Sequence, residues 1–306
     1  MNQIYLDTAR LLTQIAPIVL VDGIFALKGG TAINLFLRDM PRLSVDLDLV
    51  FPDYRVPRAE ALAMIADALR RSTERLTARG FQVHSVSITG GEETKLLVSR
   101  DRITVKIEVN FVTRGTVHPV RSASLTPKAR TTLLTDLEIP VASLEDVYGG
   151  KVVAAMDRQH PRDLFDVMQL FANEGLTPAI RRAFVVYLAS HNRPVHEVLF
   201  PVLRDIRQDY ERTFQGMTAD PVALETLLET REALVKKLHT ELDANERNFL
   251  ISLVRAAPEW NLLEIGHVAE LPAIRWKLQN LEQLQKRNPT KHAEQVEALE
   301  KLLNAD

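Results

Sequence analysis

Cysteine is absent from the 306 residues, which excludes a disulfide framework and any zinc site built on thiolates, and is what a reducing cytosol permits. There is no excess of one charge sign either: 38 basic against 40 acidic residues leave a net charge of −2, which excludes a polybasic nucleic-acid tail. The longest apolar run, Leu11 to Leu27, is broken by Gln14, Pro17 and Asp22, too interrupted to span a bilayer, and it has no small-residue cleavage site of the secretory kind. No G-x-x-x-x-G-K-[ST] phosphate loop occurs, no V-A-I-K or D-F-G accompanies His160-Pro161-Arg162-Asp163, and His160 has no second histidine at metal-ligand spacing. What is present is ordinary globular composition, 46% hydrophobic and 25% charged, at a length expected for about two domains. A soluble cytoplasmic protein with no membrane association is the expectation.

The near-neutral total hides an asymmetry. Residues 1–200 are net +2 and residues 201–306 net −4, and within the first part residues 54–130 are net +7. An excess of that size attracts phosphates, although Arg70, Arg71, Arg75 and Arg79 also fit a solvated helix face.

Hydrophobic periodicity predicts a first helix over about twenty residues, with Leu6, Leu11, Leu12 and Ile15 at helical spacing. After a break at Asp22-Gly23 an apolar stretch runs into Lys28-Gly29-Gly30-Thr31, where Thr31 is expected to cap a helix from Ala32 to Leu37. Ser44 to Phe51 alternates as a strand, Pro57 to Arg79 is amphipathic and closed by Gly80, and Phe81 to Ile88, Lys95 to Ser99 and Arg102 to Phe111 read as further strands, the first two joined by a turn at Gly90-Gly91. Residues 112–140 read as loops and short strands ending at Ile139-Pro140, and from Ser143 the pattern is helical with interruptions near Gly175, His191 to Pro194, Gly216 and Pro258. The expected fold class is α+β, with domains over 1–175 and 176–306, the second mostly helical.

Chemistry concentrates in a few places. Asp46 and Asp48, two apart on a strand, share one face while Val45, Leu47 and Leu49 turn to the core. Adjacent anions repel, and a hard divalent cation resolves the conflict: Mg²⁺ takes one or two carboxylates plus substrate phosphates. Two solvated aspartates on an edge strand are the bland alternative. Gly29 and Gly30 let backbone N–H groups approach a phosphate, and Thr31 adds a hydroxyl. Glu108 supplies a third acid on the polar face of the last strand, with Lys106 as its alternative salt-bridge partner. Lys151, Arg158, Arg162, Asp163 and Asp166 form a second group, with Pro161 opening a helix that carries both acids; it suits a triphosphate or an internal ion-pair network. Ser44 stands two residues before Asp46, where a phosphate would repel metal and nucleotide; a hydroxyl bonded to nearby backbone is the alternative.

In this order Lys28-Gly29-Gly30-Thr31, Arg42-x-Ser44-x-Asp46-Leu47-Asp48-Leu49 and Lys151, Arg158, Arg162-Asp163-x-x-Asp166 resemble the AbiEii/AbiGii toxin family, nucleotidyltransferase-like proteins of the DNA polymerase β superfamily. The resemblance covers about residues 1–175. It implies a nucleotidyltransferase-like mixed sheet flanked by helices with a helical C-terminal domain, and a bacterial cytoplasmic toxin of a toxin–antitoxin or phage-defence system. The implied reaction transfers a nucleoside monophosphate from a nucleoside triphosphate to an acceptor such as the tRNA 3′ end, with Mg²⁺ or Mn²⁺ and a cognate antitoxin as partner. Carried over, Asp46 and Asp48, with Glu108 as a third acid, hold the metal; Gly29, Gly30 and Thr31, with Lys28, Ser44, Arg158 and Arg162, contact the nucleotide; Lys151 neutralises its charge, and Asp163 or Asp166 completes the site. Transfer to a protein or small-molecule hydroxyl, a non-catalytic nucleotide-binding protein, and a metal-dependent nuclease are the alternatives.

Overall fold

In a computed structural model, residues 3–87 and 93–304 are described; the turn expected at Gly90-Gly91 and the strand end at Ile88 lie outside them. The chain divides into two compact units: residues 1–147 with 215–221, and residues 148–214 with 222–306. The boundary expected at 175 therefore falls inside the second unit.

The first unit is built on a seven-stranded mixed sheet. Its strands are β1 (Ala26–Lys28), β2 (Asp46–Val50), β3 (Gln82–Ser87), β4 (Glu93–Arg100), β5 (Ile103–Asn110), β6 (Arg121–Ser124) and β7 (Glu138–Val141), in the order β3-β4-β5-β2-β1-β7-β6. β2 runs parallel to β5 and antiparallel to β1, β3, β4 and β5 form an antiparallel run, and β1 pairs in parallel with β7. Helices α1 (Gln3–Leu20) and α3 (Arg58–Ala78) pack together and against the sheet, because alternation sends Leu47, Leu49, Leu96, Val98, Val105, Ile107 and Val109 to one face, all buried. The opposite face carries Lys95, Lys106, Glu108 and Asp46, each partly open to solvent.

Helix ends follow the sequence signals where those are strong. Gly80 closes α3 at φ +81°, with its N–H donating to the Thr77 carbonyl and that of Phe81 to the Leu76 carbonyl. Two expectations differ. Helix α2 (Gly29–Ala32) starts at Gly29, not Ala32, and passes at Ile33–Leu37 into a π-helical turn, so Thr31 lies inside the helix and caps nothing. The 112–140 stretch contains a short helix, α4 (Pro127–Leu133), and Pro140 sits within β7, opposite Ser122, rather than ending it.

Residues 215–221 return to the first unit as a strap. The Leu43 N–H donates to the Met217 carbonyl and the Ala219 N–H to the Pro41 carbonyl, both 2.9 Å, on either side of a bridge between Arg42 and Thr218. The strap fixes the backbone just before β2.

The second unit is helical. It takes in α5 (Leu144–Asp157) from Tyr148 onward, then α6 (Pro161–Ala172), α7 (Pro178–Ala189), α8 (Val195–Leu199), α9 (Arg207–Thr213), α10 (Leu224–Glu241), α11 (Ala244–Val254), α12 (Pro272–Arg287) and α13 (Pro289–Leu303). Gly149 permits the approach of α5 to α7: a Cβ there would stand 2.8 Å from the backbone of Ala183 and Phe184. Phe165 and Phe214 pack with ring centroids 5.6 Å apart.

Candidate active site

The strand period places Asp46 and Asp48 side by side on the open face of β2, with Leu47 and Leu49 fully buried behind them. The register then sets Lys28, Asp48, Glu108 and Lys95 in one row across β1, β2, β5 and β4, and Asp46 opposite Lys106. Lys95 Nζ lies 2.6 Å from Glu108 Oε1; Lys106 Nζ lies 3.4 Å from the same oxygen and 3.9 Å from Asp46 Oδ1. Burial pushes the Glu108 carboxyl up, but the hydrogen bond from Lys95 and the charges of both lysines outweigh it, so the group is held below its ordinary value and ionised.

The glycine turn is shaped around Asp48. Gly29 takes φ +73°, a conformation that side chains rarely adopt, and a Cβ built on it would meet the Asp48 carboxylate, with Cγ only 3.0 Å away. A Cβ on Gly30 would stand 2.8 Å from Arg42 Nη2 and 3.1 Å from Ser44 Oγ. Arg42 is buried and donates through Nη1 to its neighbour's carbonyl at Leu43. The Thr31 hydroxyl is fully buried, 2.5 Å from the Asp46 carbonyl oxygen and 3.0 Å from Ser44 Oγ. It ties α2 to the first residue of β2. Ser44 is itself buried, so its hydroxyl is an internal hydrogen-bonding group and not one presented for phosphorylation.

These residues fit a hard divalent ion. Asp46 and Asp48 present oxygen donors on one face, the missing Cβ of Gly29 lets the Asp48 carboxylate lie against the turn, and oxygen sets of this kind suit Mg²⁺ or Mn²⁺. Glu108 is turned to the two lysines instead, and among the described residues no cluster of three His, Asp or Glu side chains forms.

In the second unit Lys151, Asp163 and Asp166 form a buried group. Lys151 Nζ lies 2.8 Å from Asp163 Oδ1 and 3.0 Å from Asp166 Oδ2, all three side chains less than a tenth exposed. Arg158, just past the end of α5 and largely exposed, adds a two-pronged contact to Asp163 at 2.5 and 2.9 Å. Burial raises the Asp163 carboxyl, but the Lys151 charge and the Arg158 hydrogen bonds outweigh it and hold the group far below the usual carboxylate range. His160 caps α6 by accepting from the Arg162 N–H at 3.1 Å, and burial, reinforced by Arg162, lowers its pKa and favours the neutral form this bond needs. Arg162 is half-buried beside that cap.

Residues 10–280 match the family described as nucleotidyl transferase AbiEii toxin, type IV toxin–antitoxin system. The chain belongs to the AbiEii nucleotidyltransferase toxin family. Its fold is similar to that of MenT4, a nucleotidyltransferase toxin from Mycobacterium tuberculosis, with TM-score 0.59 and 19% identity over 90% of this chain and 93% of that one. A search of curated proteins finds no match. As an AbiEii protein the chain is the toxin half of a toxin–antitoxin pair, with a nucleoside triphosphate as substrate class. Among the described residues no helix is long and apolar enough to cross a membrane.

The basic surface reads differently once folded. Arg71 and Arg75 of α3 hold Asp22 between them at 2.7 to 3.0 Å, Arg71 also pairs with Asp67, and Arg70 lies between Asp67 and Glu74. Asp22 is held below its ordinary pKa chiefly by the hydrogen bond from Arg75. This arginine face of the AbiEii chain is therefore largely neutralised by its own carboxylates. Lys95 and the strap at 215–221 escaped the sequence reading. The open-face alternation of β4 would have revealed Lys95 had the register of the β4–β5 hairpin been known.

Proposed function

We propose that this AbiEii toxin transfers a nucleoside monophosphate from a nucleoside triphosphate to an acceptor, the tRNA 3′ end, and so blocks translation. The observation that carries the reading is the Asp46–Asp48 pair on the open face of β2, with the Gly29 turn packed closely against the Asp48 carboxylate. In this reading Asp46 and Asp48 hold a divalent ion, Mg²⁺ or Mn²⁺, which supplies charge neutralisation for the phosphate oxygens. Gly29 and Gly30 admit the triphosphate close to the backbone, and Lys28, next to them in the row, faces its charge. The acceptor hydroxyl attacks the α-phosphorus in line, its proton passing to solvent or to a carboxylate, and pyrophosphate leaves. No nucleophilic side chain is required; catalysis is positioning and electrostatics.

The test is labelling with each of the four α-³²P nucleoside triphosphates, offering total tRNA and cell protein as competing acceptors. Label on lengthened tRNA supports the proposal. Label confined to protein or small molecules supports the alternative transferase, shortened RNA points to a nuclease, and no label with intact nucleotide binding points to a non-catalytic binding protein.

Gly29→Ala gives an independent check. The substitution meets both a positive φ and the Asp48 carboxylate, so Asp48 must leave its position. The expected result is at least a tenfold loss of transfer, on the order of the effect of disturbing a ligand's support, with a stability loss of about 1 kcal/mol. Equal activity of Gly29→Ala and wild type in the labelling assay would remove Asp48 from the site.

A further inference from the structure

Nucleotidyl transfer with two metal ions needs carboxylates shared between cations about 3.5–4 Å apart. Building on the transferase reading, we infer that Lys106 occupies the place of a second divalent ion, so that this site takes a single ion on Asp46 and Asp48 and draws its remaining positive charge from the protein. The Lys106 ammonium stands between two carboxylates, 3.9 Å from Asp46 Oδ1 and 3.4 Å from Glu108 Oε1. That is the relation a bridging cation has to its two acids. Glu108 is also held from the other side by Lys95 at 2.6 Å, its direct cross-strand partner.

The charges agree. Across the four strands Asp46, Asp48 and Glu108 face Lys28, Lys95 and Lys106, three against three. One divalent ion brought in with a polyanionic triphosphate finds two carboxylates whose charges it shares with one ammonium. A second ion at Glu108 would have to displace the Lys106 ammonium from both acids and stand beside Lys95, a like-charge contact. Lys106 keeps the electrostatic part of the missing ion's role, but it is not a Lewis acid and does not activate a water. The sequence reading of Lys106 as an exposed partner of Glu108 and the reading of Glu108 as a metal ligand are then two halves of one arrangement, in which Glu108 positions Lys106.

The experiment counts ions directly. Mn²⁺ is titrated into the full chain with a non-hydrolysable nucleoside triphosphate, and bound ions are read by electron paramagnetic resonance. Wild type is expected to hold one Mn²⁺ per chain, and Asp46→Asn to lose it. Lys106→Arg is expected to stay at one. Lys95→Met with Lys106→Met, which frees Glu108, is expected to gain a second, and Glu108→Gln added to that pair returns the count to one. Two ions on wild type overturn the inference and leave the transferase reading standing, as does a single ion on the Lys95/Lys106 double variant. No ion on wild type at saturating nucleotide overturns both.

Discussion

Asp46→Asn is expected to abolish nucleotidyl transfer while leaving the chain folded and as heat-stable as wild type. The side chain is about a third exposed, so its replacement removes no core contact, and substitutions at such positions shift stability by about 0.5 kcal/mol or less. The Asp46 carbonyl that accepts from Thr31 is backbone and survives the change. Removing one of two facing carboxylates also relieves their mutual repulsion. The catalytic loss has a different scale. A metal ion on a phosphoryl oxygen contributes several kcal/mol of transition-state stabilisation; about 4 kcal/mol corresponds to roughly a thousandfold in rate. Thermal denaturation beside the labelling assay separates the two quantities. Full labelling by Asp46→Asn would remove the carboxylate pair from the chemistry, whereas loss of both labelling and folding would show that the pair holds the sheet together.

How much of this was legible in the residues depends on how local each signal was. The D-x-D pair, the helix ending at Gly80 and the proline opening α6 all rest on spacings of two to four residues, and the structure has them as read. Pairing Asp46 with Lys106 and Asp48 with Glu108 needed the β2–β5 register, which no local pattern specifies. The α3 arginines were legible as a face but not as partners of Asp22, about fifty positions earlier. The short α2 helix misled because Gly29 and Gly30 are poor helix formers, yet the close approach of Asp48, Arg42 and Ser44 leaves room for nothing larger. Tertiary crowding overrode propensity there. The strap depends on contacts between segments more than 170 residues apart, which periodicity cannot carry.

The largest effect on stability is expected at Lys151, and its pH dependence identifies the cause. Lys151→Met takes the ammonium away from the fully buried Asp166, 3.0 Å from it, and from Asp163, which keeps its contact with the exposed Arg158. Breaking a buried pair by removing one partner costs about 3–5 kcal/mol, against a small effect for Arg158→Ala, since Lys151 still meets Asp163. In the wild type the folded Asp163 carboxyl lies below its unfolded value. Its stabilisation is therefore complete above the unfolded pKa of about 4 and is lost as pH falls from there toward the folded value. The Asp163 contribution is therefore flat between about pH 5 and 8. In Lys151→Met the sign reverses. A buried carboxylate without its ammonium has a raised pKa in the folded state, so the variant is most stable in acid and weakens as pH rises toward neutrality. Urea unfolding of both proteins at several pH values, followed by circular dichroism, reads the two slopes. Parallel curves would show that Lys151 and Asp166 do not interact as a charge pair. Curves that converge in acid and separate toward neutral pH assign the 3.0 Å contact a large share of the second unit's stability. Replacing Lys151, Asp163 and Asp166 together by Met, Asn and Asn then recovers much of the loss, because no buried charge is left unpaired.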